Sequence, residues 1–269
     1  MERPGEIGGA QEMRLGLEGR IALVSGATAG LGLAVGRALA NEGARVILAG
    51  RRRELAESEA TALPDGFGVE MDVRNPESIR NAIISIEQRV GLPDILFLNS
   101  GGPPPSRAVE LDVDSIQVAA ELLLYGPMQL VNACMPKMRA QRWGRIVATG
   151  STAVQQPIPL LASSSIFRAA TASYLKLLAE DVAADGITVN MVHPGRIATD
   201  RTIQIDQTRA EATKTSIEQV KVASERMIPL GRYGTPDEFA AMVTFLCSEG
   251  ARYITGEQIR VDGGLIRSM

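Results

Sequence analysis

From Gly19 onward, short apolar runs alternate with longer amphipathic stretches along the chain. Apolar runs of four or five residues indicate buried strands, and apolar positions spaced three and four apart indicate helices. Regular alternation of the two is typical of a parallel sheet with helices on both faces. The pattern predicts a single α/β domain with a doubly wound parallel sheet of about seven strands. The predicted strands are 21–24, 46–49, 68–71, 95–98, 146–149, 188–192 and 258–261, and the predicted helices are 31–41, 54–62, 76–89, 112–140, 163–184 and 236–248.

Two segments depart from this alternation. Residues 1–14 are rich in Gly and Glu and have no periodic pattern, so we predict a disordered N-terminal extension followed by one domain over 15–269. Residues 201–226 are helical, polar and rich in Thr and Gln, and they lie between the last two strands. Because ligands bind at the carboxyl edge of open parallel sheets, we expect this insertion to form a lid over a substrate.

The composition excludes several kinds of site. The chain has one histidine, His193, which rules out a zinc site built on several histidines, and we predict no metal. A proton role for His193 is conceivable, but a hydrogen-bonded loop residue is the better interpretation. Two cysteines without a Cys-x-x-Cys spacing indicate buried free thiols and a reducing compartment, so we expect the protein to be cytoplasmic.

The charge of the chain bears on its partners. The formal net charge is −3 and the isoelectric point is near 5.4, whereas nucleic acids and anionic membranes require a concentrated basic surface. No apolar stretch approaches the roughly 18 residues needed to cross a bilayer. We therefore expect neither nucleic acid nor a membrane as a partner.

A glycine-rich loop separates the first predicted strand from the first predicted helix. Its glycines permit a tight turn and close approach of the backbone to a pyrophosphate, while the helix N-terminus supplies N–H donors. An ordinary Gly-rich turn is the alternative, but the position between strand and helix favours a phosphate site in a Rossmann-type fold. The residues assigned to cofactor binding here are Gly26, Thr28, Gly30, Leu31 and Gly32.

Three arginines, Arg51, Arg52 and Arg53, follow the second predicted strand. Dinucleotide folds often have Asp or Glu at this place to bind the ribose hydroxyls, whereas an arginine accommodates a 2′-phosphate. We therefore favour NADP(H) over NAD(H) and assign the phosphate contact to Arg51. A basic, solvated helix start remains the alternative for Arg52 and Arg53.

Six motifs in order resemble the short-chain dehydrogenase/reductase family, over about residues 19–264. They are the glycine loop with Ser25 in place of Thr, Asp72-Val73, Asn99-Ser100-Gly101-Gly102, the strand from Gly144 leading to Ser151, Pro194-Gly195-Arg196-Ile197-Ala198-Thr199, and a C-terminal pair spanning 229–238 and 255–264. The C-terminal pair looks like the branch that contains 3-oxoacyl-acyl-carrier-protein reductases. The resemblance implies that Asp72 and Val73 contact adenine, that Asn99 and Gly101 bind cofactor, and that Pro194, Gly195, Ile197 and Thr199 hold the nicotinamide carboxamide.

The resemblance breaks at the catalytic residues. The family uses a tyrosine whose pKa is lowered by a lysine four residues later, together with a serine that polarises the carbonyl, but no tyrosine of this chain has Lys at i+4. Spacing from Ser151 puts Ser164 at the tyrosine position and Arg168 at the lysine position, and the family's helix asparagine falls at Leu123. Arg168 retains the donors for the nicotinamide ribose but is no proton shuttle at neutral pH.

These residues leave two hypotheses open. The first is an NADP-dependent oxidoreductase of a carbonyl/alcohol pair, in which a water held by Ser151 and Ser164 replaces the phenol as proton donor, with Arg168 completing the catalytic set. The second is a catalytically degraded dinucleotide-binding protein that acts as a sensor or partner subunit. The resemblance also implies a small-molecule or acyl-thioester substrate and a homotetramer, with helices 112–140 and 163–184 at one interface.

Overall fold

A computed structural model describes residues 15–268, and its centre is one parallel sheet of seven strands. The predicted extension 1–14 lies outside the described residues. The strands are β1 Ile21–Ser25, β2 Arg45–Gly50, β3 Phe67–Glu70, β4 Ile95–Leu98, β5 Gly144–Thr149, β6 Ile187–Pro194 and β7 Gln258–Val261. Their order is β3-β2-β1-β4-β5-β6-β7, which confirms the doubly wound sheet. The order reverses between β1 and β4, and a ligand crevice opens at that place in such sheets.

Helices cover both faces of the sheet, because its strands are apolar on both sides. In β2, Val46 and Leu48 pack into the layer that holds α1 and α9, whereas Ile47 and Ala49 pack into the layer that holds α3, α5 and α6. The helices before β6 are α1 Gly30–Asn41, α2 Arg53–Thr61, α3 Pro76–Arg89, α4 Val113–Ala120, α5 Gly126–Gln141 and α6 Ala162–Val182; after β6 come α7 Asp200–Thr213, α8 Ile217–Glu225 and α9 Pro236–Cys247. Within residues 15–268, no helix is long and apolar enough to span a membrane.

The helix predicted over 112–140 contains a wider turn. Residues Glu121–Tyr125 form one π-helical turn between α4 and α5. The hydroxyl of Thr171, on α6, donates to the carbonyl of Leu123 within this turn at 2.6 Å. A Cβ on Gly126 would overlap the carbonyl of Val73, so the glycine lets the turn lie against the loop after β3. The π turn therefore brings α4 and α5 to the carboxyl edge of the sheet.

The polar insertion predicted over 201–226 consists of two helices, α7 and α8. Lys214 ends α7 with a φ of +53°, in the left-handed region. Ser216 then begins α8 with a capping box, because its side chain accepts from the N–H of Gln219 and the Gln219 side chain accepts from its N–H. The insertion is helical, as expected, and it consists of two helices separated by residues 214–216.

A cation–π cluster packs at the amino edge of the sheet, opposite the crevice. The guanidinium carbons of Arg20 and Arg145 lie 3.8 Å and 4.3 Å from the ring centroid of Trp143. The indole N–H of Trp143 donates to Glu249 at 2.5 Å. Since Arg145 is almost completely buried, these contacts compensate a charge that the apolar core would otherwise exclude.

Candidate active site

The glycine loop between β1 and α1 has the shape that a phosphate group requires. Gly26 and Gly30 have φ values of +58° and +55°, which L side chains rarely adopt. A Cβ on Gly32 would overlap the carbonyl oxygen of Gly26, so α1 packs directly on the loop. The N-cap residue Ala29 has no side-chain acceptor, which leaves the first N–H groups of α1 free for an anion. Leu31 differs from these residues, because its side chain packs against the core.

Asn99 joins the end of β4 to this loop. Its side-chain amide donates to the carbonyls of Ser25 and Gly26 at 3.3 Å and 3.1 Å, and its backbone N–H donates to the Ser25 hydroxyl at 2.9 Å. The Ser25 hydroxyl in turn donates to the carbonyl of Asn99 at 2.7 Å. Asn99 therefore shapes the loop, while Gly101, two residues later, has open space on its Cβ side.

The three arginines after β2 have three different environments. Arg52 reaches back to the glycine loop and donates to the Thr28 hydroxyl at 2.9 Å. Arg53 is bonded to Glu57 at 2.8 Å, one turn along α2. Arg51, the predicted phosphate ligand, is exposed, and its charge acts on Asp72. The contact of Arg52 with Thr28 was not predicted, because the sequence does not distinguish the directions of adjacent identical side chains.

Asp72 and Val73 follow β3 at the same edge. Both carboxylate oxygens of Asp72 accept from the Arg74 guanidinium, at 3.0 Å and 2.6 Å. This hydrogen bonding is the largest cause that lowers the pKa of Asp72. Asp72 is therefore an ionised acceptor with fixed orientation, beside the predicted adenine position.

The segment after β6 closes the crevice from the other side. Gly195 allows close packing on β7, since a Cβ there would lie 2.5 Å from the Cα of Asp262. Thr199 caps α7, and its methyl group lies 3.6 Å from the position that a Cβ on Gly30 would occupy. Pro194 ends β6, and Ile197 is buried. The predicted carboxamide segment thus lies across the N-terminus of α1.

Ser151 and the guanidinium of Arg168 both lie at the end of β5. A guanidinium N–H of Arg168 donates to the carbonyl of Thr149 at 2.6 Å, two residues before Ser151. Burial lowers the pKa of Arg168 to about 10, so the side chain remains a cation at neutral pH. Ser151 accepts from the N–H of Ala153 at 3.1 Å, which leaves its hydroxyl proton available to a ligand. Ser164 is buried one turn before Arg168 on α6 and shares its helix face.

A small cavity of about 20 Å³ lies behind these residues, and its volume admits a single water molecule. Arg168, Asn99, Thr149 and Leu123 are among its lining residues. The side chain of Leu123 gives the cavity an apolar wall, and the Leu123 carbonyl already accepts from Thr171. The residue that stands at the family's asparagine position therefore supplies no polar side chain here.

The loops that follow β4 and β5 hold each other beyond the carboxyl edge of the sheet. Ser106 pairs with Leu161 as a parallel bridge, with the Ser106 N–H donating to the Leu160 carbonyl at 2.9 Å. The hydroxyls of Ser106 and Ser163 are 3.3 Å apart. The sequence did not predict this pairing, since it joins residues more than 50 positions apart in the chain.

The lid expected over 201–226 begins against the same loops. The guanidinium of Arg201, at the start of α7, lies 3.7 Å from the position that a Cβ on Gly102 would occupy. Isoleucines 203 and 205 on α7 are exposed. In the described part of the chain, no group of three His, Cys, Asp or Glu side chains is arranged to hold a metal ion. The glycine loop, the segments after β3 and β4, and Ser151 with Arg168 therefore lie along the carboxyl edge of the sheet.

The sequence and fold match one family over most of the chain. The family model described as "Enoyl-(Acyl carrier protein) reductase" matches residues 26–266. The 3-oxoacyl-(acyl carrier protein) reductases FabG of Aquifex aeolicus (strain VF5) and Vibrio cholerae are each 34% identical, over 94% and 93% of this chain and 100% and 99% of their own lengths. The chain belongs to the short-chain dehydrogenase/reductase family, whose members are oxidoreductases.

Solved structures show the same architecture. L-sorbose reductase from Gluconobacter frateurii, complexed with NADPH and L-sorbose, is 29% identical, with a TM-score of 0.91, and the match covers 96% of this chain and all of that one. Actinorhodin polyketide ketoreductase with NADPH is 30% identical, with a TM-score of 0.86, over 92% of this chain and 97% of that one. The single doubly wound domain predicted from the pattern is confirmed.

Proposed function

We propose that this protein is an NADP(H)-dependent oxidoreductase that interconverts a carbonyl and an alcohol with an altered proton donor. The observation that carries the proposal is a glycine loop with a free helix N-terminus at the same sheet edge as Ser151 and Arg168, in a chain without a Tyr-Lys pair at helical spacing. The names of the relatives support a 3-oxoacyl-reductase-like activity on an acyl thioester or another small carbonyl compound.

The residues present fit a bound nicotinamide dinucleotide. Its pyrophosphate would lie against the glycine loop, where the N–H groups of α1 are free, and Thr199 and Arg168 would hold the nicotinamide end. The NADPH named in two neighbouring structures and the arginines after β2 support a preference for the phosphorylated cofactor. When bound, the cofactor supplies a hydride to the carbonyl carbon.

The residues of this chain then have to provide a proton and stabilise the oxygen. The Ser151 hydroxyl donates to the carbonyl oxygen, and the Arg168 cation lowers the energy of the negative charge that develops there. A serine hydroxyl is a weak acid, and an arginine holds its proton at neutral pH, so neither replaces the phenol directly. We propose that a water held by Ser151 and Ser164 passes a proton to the new alkoxide and regains one from bulk solvent.

A second function is favoured by the same missing phenol. The protein would then bind the dinucleotide without reducing a carbonyl and would act as a sensor or partner subunit. Arg168 supports this view as well, because its donation to the Thr149 carbonyl is satisfied without any substrate. The two functions share the cofactor site and differ only in turnover.

Turnover with a panel of keto esters, acyl thioesters and quinones separates the two functions. NADPH and NADH are first titrated by nicotinamide fluorescence, and NADPH oxidation is then followed by absorbance. For the reductase, we expect at least one active substrate and a Ser151→Ala variant that binds NADPH normally but loses about 100-fold in kcat, the order of one lost oxyanion donor. Tight NADPH binding without turnover across the panel would select the second function, and unchanged reduction by Ser151→Ala would exclude the water relay.

We also propose a cytoplasmic homotetramer. Exposed aliphatic and aromatic side chains on α4, the π turn and α6 support an interface there, among them Val113, Tyr125, Ile166 and Leu177. Two buried free thiols, Cys134 and Cys247, support a reducing compartment. Sedimentation equilibrium of the wild type and of Leu177→Glu tests the tetramer, and a monomeric wild type would refute it.

A further inference from the structure

His193 lies at the point where the pairing between β5 and β6 ends. The strands are paired as far as Thr149 and Val192, and the N–H of Gly150 donates to the Val192 carbonyl at 2.7 Å. The next N–H of the chain, that of Ser151, donates to Nδ1 of His193 at 2.9 Å. An imidazole thus acts as the acceptor for the backbone of the serine at the end of the crevice.

The contacts of the ring determine its protonation. A backbone N–H only donates, so Nδ1 must offer its lone pair to Ser151, and the ring proton lies on Nε2. Nε2 is 3.0 Å from the side-chain oxygen of Gln258 on β7, which accepts that proton. His193 has no solvent exposure. A neutral ring therefore connects the end of β5 to β7 across β6.

The charged groups that face the ring oppose its protonation. Arg168 on α6 and Arg260 on β7 are both cationic, and the segment 150–151 contributes no charge. Burial, with a smaller effect of these two cations, outweighs the opposing effect of the hydrogen bond to Gln258 and lowers the pKa of His193 below its ordinary value. A proton on Nδ1 would place two N–H donors against each other and break the bond to Ser151.

The position of Gly150 matches this arrangement. A Cβ at residue 150 would overlap Nδ1 of His193, and it would lie 2.6 Å from Cε1 and 2.8 Å from Cγ of Met191. Only glycine therefore leaves room for the ring beside the peptide that joins residues 150 and 151. The glycine before the serine and the histidine on the neighbouring strand form one structural unit.

We propose that His193 is a positioning residue for Ser151, which holds the serine backbone through a neutral Nε2–H imidazole and transfers no proton itself. Two bonds then determine where the serine hydroxyl lies: His193 fixes the backbone, and the Ala153 N–H fixes the oxygen. Arg168 donates to the carbonyl of Thr149, two residues before the serine. The inference rests on the proposed function, in which Ser151 donates to the carbonyl oxygen of the substrate.

The single histidine allows a direct test that needs no substrate. In protein labelled with ¹⁵N-histidine, the spectrum contains one imidazole, and its two-bond couplings identify the protonated nitrogen. We expect Nε2–H at neutral pH and protonation only below the ordinary histidine range of about 6.5. A ring protonated on Nδ1, or a cationic ring at pH 7, would overturn the proposal whether or not the protein reduces a carbonyl.

Two variants test the consequence for turnover. His193→Ala removes the acceptor, whereas His193→Asn keeps a side-chain oxygen close to the position of Nδ1. We expect His193→Ala to lower kcat at least tenfold with KM and the NADPH Kd within twofold, and His193→Asn to retain at least a third of kcat. The wild type should lose kcat at acid pH, and His193→Asn should not.

The possible outcomes distinguish the claims. Unchanged kcat in His193→Ala, or equal loss in both variants, would overturn the positioning role, since an imidazole-specific proton transfer predicts equal loss. NADPH binding and circular dichroism establish that each variant is folded. If His193→Ala does not fold, the imidazole spectrum of the ¹⁵N-labelled wild type still tests the proposal, because it shows which ring nitrogen carries the proton. A wild type without turnover on any substrate would instead refute the proposed function.

Discussion

The three arginines after β2 provide a matched set of variants for cofactor preference, because the structure places them differently. Arg52 donates to Thr28 on the glycine loop, and Arg51 is exposed beside Asp72. Arg53 is bonded to Glu57 on its own helix. Replacing any one by Ala changes the net charge equally, so a difference among the three variants reports on position and not on charge.

The expected loss of NADPH affinity follows from the exposure of these arginine side chains. A hydrogen bond to a charged group contributes about 1.5–3 kcal/mol, and an exposed one lies at the lower end. A loss of about 1.4 kcal/mol corresponds to a tenfold change in Kd. We therefore expect Arg51→Ala and Arg52→Ala each to weaken NADPH binding about tenfold, with NADH changed by less than twofold, and Arg53→Ala to leave both within twofold.

Fluorescence titration of both cofactors, at low and high salt, measures this difference. The effect of Arg52→Ala on NADPH should shrink at high salt, since an exposed guanidinium is screened. Equal weakening by Arg53→Ala would show that the preference comes from general positive charge. No change in any variant would refute the placement of a phosphate beside these arginines.

Three further predictions concern the loop, the adenine end and the thiols. Gly32→Ala places a methyl group against the Gly26 carbonyl, and we expect a loss of about 1–3 kcal/mol in urea unfolding together with weaker binding of both cofactors. Arg74→Ala removes the bonds that lower the pKa of Asp72, so stability should fall by less than about 1 kcal/mol at pH 7. This difference should disappear as the pH drops through the Asp72 pKa, because a depressed acid stabilises only while ionised, and an equal difference at pH 2 and 7 would contradict the assignment. Burial raises the pKa of both cysteine thiols to about 12, so a thiol reagent should modify neither in native protein and both in urea; rapid native labelling would contradict their burial.

The sheet and its order of elements were predictable because five of the seven strands are almost wholly buried. Each predicted strand overlaps the observed one, since runs such as Ile95–Leu98 have no polar position to shift their ends. The break between α7 and α8 was missed, although Ser216 and Gln219 have the spacing of a capping box. The π turn at Glu121–Tyr125 was not predictable, because it depends on Thr171 from another helix.

The arrangement of the site was predictable only where all the residues involved are consecutive in the chain. The glycine loop has its chemistry in consecutive residues, so its shape followed from the sequence. The bond between Ser151 and His193 joins neighbouring strands, and the paired register of β5 and β6 decides that these two residues meet. The bridge between Ser106 and Leu161 was not predictable for the same reason, since it joins two loops that are far apart in the chain.

The position of Trp143 decides what intrinsic fluorescence measures in this protein. The chain has one tryptophan, which precedes β5, whereas Ser151 follows the same strand, so the six residues of β5, about 20 Å long at 3.3 Å per residue, lie between them. Two guanidinium groups lie close to its ring. Tryptophan emission therefore serves as an intrinsic probe of unfolding at the far edge of the sheet. In the proposed function, nicotinamide emission reports on the opposite edge, so the two edges of the sheet carry different fluorophores.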